Sequence, residues 1–292
     1  MTALRGTAKA KINLTIEVLG RRDDGYHEIR SLVAFAALGD GLELEPGKDL
    51  ALRIEGPFAG ALSGDNLVLA AANAAKGKAR GIKLGGFRLV KTLPVAAGLG
   101  GGSADAAAAL RLLARANPGT LDQESWREIA EGLGSDVPAC LKSRPAFITG
   151  RGEVVTPVRG FPPCAVVLAN PGLQLAAAYV YGALVSSELL APPEQPAETL
   201  DFRGRFERLL DHAALRGNDL EPAALSLVPV IGEILAALRR CEGAHLARLS
   251  GSGPTCFALF ATEDEAKSAA ASLKTAHSSW WVAATRLEAS ED

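Results

Sequence analysis

The sequence predicts a globular protein of mixed α and β structure in two domains, divided near residue 155. Three observations carry this. Runs that alternate apolar and polar residues, the period-2 mark of half-buried strands, recur between Ala- and Leu-rich stretches suited to helices. Hydrophobic residues make up 48% of the 292 and charged residues 22%, a balance that supports a packed core and excludes disorder. Around 150–165 the texture changes to short apolar runs between Pro and Gly turns.

Residues 10–18 place Ile12, Leu14, Ile16 and Val18 on one strand face, and the polar turn Gly20–Gly25 follows. Leu42–Glu45 and Leu50–Ile54 alternate on either side of Pro46-Gly47, a hairpin signal. Asp65 or Asn66 caps a helix over 67–79. Phe87–Val90 reads as a strand. Residues 103–116, mostly Ala, Leu and Arg, read as a helix that Ser103 could cap. A second helix over 122–133 ends at Gly132 and Gly134. Asp136-Val137-Pro138 opens a short element with Pro at an early helical position. Cys164–Ala169 is an apolar run, 189–200 a proline-rich polar loop, and helical patterns return at 203–214 and 223–239. The end reads Leu246–Leu249 with Thr255–Phe260 as strands, 263–275 as helix, and Trp281–Leu287 as strand.

A net charge of −2 offers no basic surplus for nucleic acid, so anionic ligands need local cation clusters. Cys140, Cys164, Cys241 and Cys256 form no CxxC pair and have no His at zinc spacing, which predicts buried free thiols. The start of the chain is too polar for a signal peptide, and no run of about 18 apolar residues could span a bilayer. The expectation is a cytoplasmic protein without membrane or nucleic-acid partners, a monomer or homodimer.

Between a strand and a helix lies Pro94-Val95-Ala96-Ala97-Gly98-Leu99-Gly100-Gly101-Gly102-Ser103-Ala104-Asp105. Glycines let backbone N–H groups turn inward and approach an anion closely. The helix that follows adds about half a positive elementary charge. Ser103 can donate its hydroxyl to a phosphate or ligate Mg²⁺. A P-loop is excluded, because its GxxxxGK[ST] pattern needs a lysine and none lies in 92–141. A dinucleotide fingerprint starting at Gly98 fails at its third glycine, where Ser103 stands. The bland alternative is a flexible turn before a helix. A second glycine cluster, Leu249-Ser250-Gly251-Ser252-Gly253-Pro254-Thr255, reads equally well as a tight hairpin.

Ala10-Lys11-Ile12-Asn13-Leu14, Pro94–Ala107 and Leu249–Thr255, in that order and spacing, resemble the GHMP kinases. This superfamily takes its name from galactokinase and the homoserine, mevalonate and phosphomevalonate kinases, and the likeness covers essentially the whole chain. Three further segments narrow it: Gly20–Glu28, Gly134-Ser135-Asp136-Val137-Pro138 and Asn218-Asp219-Leu220-Glu221-Pro222. They resemble the branch that acts on a cytidylyl diphosphate sugar alcohol in non-mevalonate isoprenoid precursor synthesis. The resemblance implies an α+β, two-domain fold. An ATP-binding domain like ribosomal protein S5 domain 2 would cover 1–155, a ferredoxin-like domain 156–292, with the active site in the cleft between them. It implies ATP, with Mg²⁺, phosphorylating the 2-hydroxyl of that alcohol.

The same resemblance assigns roles. Asp136 would orient or deprotonate the acceptor hydroxyl, although an Asp before Val-Pro is also an ordinary helix cap. Lys11 would polarise that hydroxyl, a role for which Lys9 on the same face competes. Asn13 would hydrogen-bond the substrate. Tyr26 and His27 would read cytosine by stacking and by the donor and acceptor of the imidazole; the alternative is an aromatic anchor at a strand end. Tyr181 would supply a second stacking ring, with Tyr179 as competitor. Pro94, Ala96, Ala97, Gly98, Leu99, Gly100, Gly101, Gly102 and Ser103 would hold ATP, with Asn66 and Lys91 near the nucleotide. Lys91 alone would read as a solvated strand end. Gly251 and Gly253 would close near the substrate. Where the family loop commonly has more glycines, Ala96 and Ala97 stand, a small departure unless φ must be positive. Asp219 and Glu221 would be substrate-side or structural, and the structural reading is preferred because Asn218-Asp219 before a helix is ordinary cap chemistry. The rival readings are a mevalonate- or homoserine-type kinase and a catalytically silent nucleotide-binding regulator, with a dinucleotide-binding dehydrogenase weaker.

Overall fold

The computed structural model describes residues 2–62, 64–184 and 199–289. In chain order the elements are β1 (Leu4–Asn13), β2 (Glu17–Arg21), β3 (His27–Pro46), β4 (Ala51–Glu55), α1 (Leu67–Lys78), β5 (Gly85–Val90), α2 (Gly101–Ala116), α3 (Gln123–Leu133) and α4 (Val137–Lys142). Then come β6 (Ala146–Thr149), β7 (Val154–Pro157), β8 (Cys164–Asn170), α5 (Ala177–Gly182), α6 (Phe206–Arg216), α7 (Glu221–Leu227), α8 (Val230–Arg239), β9 (Leu246–Leu249), β10 (Cys256–Phe260), α9 (Glu263–Ala276) and β11 (Trp281–Leu287). The loop expected at 189–200 lies, save its last two residues, outside the described residues. No described helix is long and apolar enough to cross a membrane.

Two compact units emerge, and they interleave along the chain. One comprises 1–10, 39–95 and 100–143; the other comprises 11–38, 96–99 and 144–292. In the first, β5 pairs antiparallel with the end of β3 and parallel with β4. The expected hairpin between 42–45 and 50–54 is therefore corrected: the turn at Pro46-Gly47 reverses the chain, but β5 inserts between the two strands. The register explains the insertion, because Leu42 faces Leu89 and Leu44 faces Phe87, four side chains buried together. Helices α1 to α4 pack against one another in the same unit. Asn66, not Asp65, caps α1 by accepting the Val68 N–H at 2.9 Å.

In the second unit, β11, β8, β10 and β9 form an antiparallel run, with α9 packed on β8 and β11 and α8 on β9 and β10. Every residue of β8 is buried, as expected of a strand covered on both faces. β2 pairs with the start of β3, which also pairs with β6. The single helix expected at 223–239 is two, because Pro229 lacks an N–H and biases Val228 out of helical geometry (φ −136°, ψ 80°). Cys140, Cys164, Cys241 and Cys256 are free thiols, and all but Cys241 are buried.

Candidate active site

Apart from Asp136, the residues expected on the substrate side lie in the second unit. Lys11 is 4% exposed near the end of β1, and Asn13 is buried. Asn13 donates from Nδ2 to Ser31 Oγ at 2.8 Å. A Cβ on Gly251 would stand 3.0 Å from Asn13 Oδ1, so the glycine (φ 55°) is what lets the 249–253 loop approach this strand. Asn218 fixes that loop by donating to the carbonyls of Leu249 and Gly251, both at 2.9 Å. Asp219 accepts the Val18 N–H at 2.7 Å and Glu221 the Leu249 N–H at 3.0 Å. Arg248 donates to the Leu14 and Ala213 carbonyls, at 2.8 and 2.9 Å.

The first half of the glycine loop, Ala96–Leu99, belongs to this unit, and four successive carbonyls anchor it there. Ala96 O accepts from Leu175 N (3.0 Å), Ala97 O from Thr255 N (3.2 Å), Gly98 O from Ser250 Oγ (2.9 Å) and Leu99 O from Lys11 N (2.9 Å). In a trans peptide the N–H points opposite the carbonyl. The N–H groups of Ala97, Gly98, Leu99 and Gly100 are thus turned away from the anchors, and none has an acceptor among the described residues. Successive backbone N–H groups of this kind are able to receive an anion. A Cβ on Gly98 (φ 73°) would lie 2.3 Å from Ser250 O, so only glycine fits. Ala96 has φ 50°, so the alanine departure judged small from sequence is a strained left-handed residue.

The second half of the loop belongs to the first unit. Gly100 (φ 61°) precedes α2, whose first hydrogen bond runs from Ala104 N to Gly100 O. Ser103 is therefore the third residue of the helix and not its cap; the Gly-Gly pair extends the helix by two residues. The N–H groups of Gly101, Gly102 and Ser103 precede the first intrahelical donor and add to the positive helix end. Beside them lies a buried charge cluster. Lys91 Nζ sits 2.5 Å from Asp40 Oδ2 and 2.8 Å from Asp105 Oδ2. Lys91 is thus not a solvated strand end. A Cβ on Gly101 would lie 3.5 Å from its Nζ. Burial opposes the Lys91 charge, but the carboxylates of Asp105 and Asp40 outweigh it and raise the pKa. Burial pushes the Asp105 carboxyl up to about 7, against the pull of Lys91 and with the push of Asp40. Asp105 Oδ1 is buried with no hydrogen-bond partner, whereas Asp40 Oδ1 accepts the N–H groups of Thr92 and Leu93.

Asp136 occupies the position before α4, yet its side chain makes no capping bond, so the ordinary-cap reading does not account for it.

The aromatic candidates meet in the second unit. The His27 and Tyr181 rings stack with centroids 5.0 Å apart and 26° between planes. Tyr179 is 71% exposed, so the pairing with His27 favours Tyr181. Tyr26 is half exposed, with the Arg151 guanidinium 5.0 Å from its ring centre. Burial, and then the Arg21 charge, lower the His27 pKa, so near pH 7 the imidazole is neutral and keeps one donor and one acceptor.

Sequence reasoning named Lys91 but missed its buried partners Asp40 and Asp105, and it missed Asn218 and Ser250 as parts of this framework. The available signal was weak: three charged residues inside or beside apolar segments, and one serine ahead of a glycine pair.

The match to known proteins is extensive. The family model for the GHMP kinases N terminal domain matches residues 66–144, and that for the GHMP kinases C terminal region matches 200–278. A 4-diphosphocytidyl-2-C-methyl-D-erythritol kinase of Methylobacterium radiotolerans is 48% identical over 98% of this chain and 100% of its own length. A kinase of the same name from Parvibaculum lavamentivorans is 49% identical over 94% of this chain and 95% of its own. The crystal structure of a 4-(cytidine 5'-diphospho)-2C-methyl-D-erythritol kinase superposes with TM-score 0.78 at 33% identity, covering 97% of this chain and 99% of that one. With a carbonyl-anchored glycine loop, a positive helix start and both halves of the family model in sequence order, this chain belongs to the GHMP kinase family.

Proposed function

We propose that the chain phosphorylates the 2-hydroxyl of 4-diphosphocytidyl-2-C-methyl-D-erythritol with ATP, giving the 2-phosphate and ADP, in isoprenoid precursor synthesis. One observation carries the reading: near-half identity to kinases of that name over both full lengths. Mevalonate and homoserine kinases share the fold at much lower identity, 17% and 16%.

Phosphoryl transfer needs the phosphates cradled, the acceptor oriented and the developing charge stabilised. The N–H groups from Ala97 to Ser103 supply the cradle, with Pro94 and Ala96 shaping its entry. Asn66 and Lys91 flank the nucleotide, Lys91 as the buried charge against Gly101. Asp136 orients or deprotonates the acceptor hydroxyl, and Lys11 polarises it. Neutral His27 reads the cytosine edge while Tyr26 and Tyr181 stack on the base, and Asn13, Gly251 and Gly253 line the acceptor end.

Among the described residues no group of three or more His, Cys, Asp or Glu gathers as a metal cage. Mg²⁺ is held largely by phosphate oxygens and few protein ligands, and the Ser103 hydroxyl at the helix start would be one. When bound, the ion neutralises charge on the phosphate oxygens. Residues 1–155 are read as the ATP-binding domain and 156–292 as the second domain, which follows the order of the two family models. The setting is read as cytoplasmic.

The test is ADP release by the purified chain with the cytidylyl substrate, run beside mevalonate and homoserine. Turnover with the first alone is expected; turnover with either control and none with the first overturns the reading.

A further inference from the structure

Helix α2 begins at Gly101, so its first turn is the second half of the glycine loop. It also packs against α4, the short helix that Asp136 precedes. About 15 Å along the α2 axis from Gly101 stands Arg111, at 1.5 Å of rise per residue. Its guanidinium donates to three main-chain carbonyls. One terminal nitrogen reaches Cys140 O at 2.7 Å and Leu141 O at 3.3 Å, and the other reaches Thr7 O at 3.0 Å.

Cys140 and Leu141 stand in the last turn of α4, where helix carbonyls lack intrahelical donors. The Ser143 N–H closes the helix on Ala139 O, just short of them. A cation there also suits the negative end of the helix. Cys140 is held from both sides, because its own N–H donates to Asp136 O at 3.1 Å. The guanidinium is thus tied through Cys140 to the Asp136 backbone. The Asp136 side chain makes no capping bond that would fix this end by itself, and six residues give α4 little rigidity of its own. The third carbonyl, that of Thr7, lies on β1, the strand that continues to Lys11.

We infer that Arg111 is a positioning residue for phosphoryl transfer: it locks α4 to α2 and so fixes the place of Asp136 relative to the start of α2. It touches no reacting atom. The inference rests on the reading of Asp136 as the group that acts on the acceptor hydroxyl. Arginine suits the task because one rigid, planar fork serves several acceptors, where lysine brings only a point charge on a flexible stem. Without the fork the carbonyls at the end of α4 lose their donor, and the short helix can slide or turn. A displacement of about 1 Å can cost about a hundredfold in rate. The contacts that bind nucleotide and substrate elsewhere are untouched, so the loss falls on kcat and not on KM.

The experiment measures steady-state kinetics with ATP and the cytidylyl substrate, and ADP binding by calorimetry, for R111M, R111Q and R111K. R111M should lower kcat by about tenfold or more, with both KM values within about twofold and the ADP stoichiometry unchanged. R111K, which keeps the charge and part of the bonding, should fall between R111M and the unmodified chain. In a D136N background R111M should add less than about threefold, since it acts through Asp136. Turnover lost in proportion to ADP-binding sites would mean a merely structural arginine and overturn the inference. So would an unchanged kcat in R111M, a loss confined to KM, or the full further loss in the D136N background. If R111M fails to fold, R111Q decides on the same criteria; if D136N turnover falls below detection, the pattern of kcat and KM decides. Failure of the Asp136 reading looks different: D136N would then turn over at the unmodified rate.

Discussion

Replacing Lys91 by methionine tests the electrostatic floor of the glycine loop. The three side chains of the cluster are 3%, 0% and 5% exposed, so the lysine is the neutralising charge for two carboxyls that water hardly reaches. Methionine keeps the apolar stem and leaves both carboxyls without a cation. Removing one partner of a buried ion pair costs about 3–5 kcal/mol, since the remaining charge stays desolvated. One escape exists, protonation of Asp105. Its pKa of about 7 in the folded chain lies above the ordinary 3.8, so the folded state binds more protons between those values. The stability it contributes is present at low pH and is lost as pH rises through about 7. In the variant the downward pull of Lys91 is gone, Asp105 holds its proton to higher pH, and the deficit should be smaller at pH 6 than at pH 8. Urea unfolding followed by circular dichroism at both pH values measures this. A deficit below about 1 kcal/mol at pH 8, or one that shrinks from pH 6 to pH 8, refutes the reasoning.

If Lys11 and Asp136 act on the acceptor hydroxyl as proposed, Lys11→Ala and Asp136→Ala should each lower kcat by orders of magnitude while ADP affinity holds; steady-state kinetics with unchanged turnover would remove those roles. Tyr181→Ala should raise KM for the cytidylyl substrate by the loss of about 1–3 kcal/mol of stacking. Tyr179→Ala, at a side chain 71% exposed, should leave KM alone, and the reverse pattern would exchange the two tyrosines. Gly98→Ala should abolish activity, because its Cβ would lie within 3 Å of the Ser250 and Gly253 backbones. Ala96→Gly should raise the melting temperature by relieving a left-handed alanine worth about 1 kcal/mol; a lower one refutes the strain.

Most elements were legible because their signals are local. The strands at 87–90, 246–249 and 281–287 and the helices at 67–79, 122–133 and 263–275 appear within a few residues of expectation. What failed was non-local. The hairpin at 42–54 could not reveal β5, distant in sequence, whose Leu89 and Phe87 pair with Leu42 and Leu44 in the place expected of β4. Lys91 shows the same limit at the site. A lysine after an alternating strand has the pattern of a solvated end, and only Asp40 and Asp105, 51 and 14 residues distant, turn it into a buried charge. Asn218 does act at the start of α7, where its Oδ1 accepts the Leu220 N–H at 2.9 Å, but its Nδ2 also holds carbonyls more than 30 residues on, which no local pattern could show.

The glycine loop shows what a motif carries and what the fold must add. Its glycines permit the conformation but do not impose it, and Ala96 opposes it by about 1–2 kcal/mol as a left-handed non-glycine residue. Four anchored carbonyls, each worth about 1 kcal/mol net, outweigh that strain. Because their donors come from β1, the 249–255 turn and the segment before α5, the loop's shape is set by the packed unit before any nucleotide arrives. Donors fixed in advance need no reorganisation as charge develops, which is the condition under which they stabilise a transition state most. The strain at Ala96 therefore belongs with the anchoring: a loop free to relax would place that alanine in ordinary geometry and lose the alignment of its N–H groups.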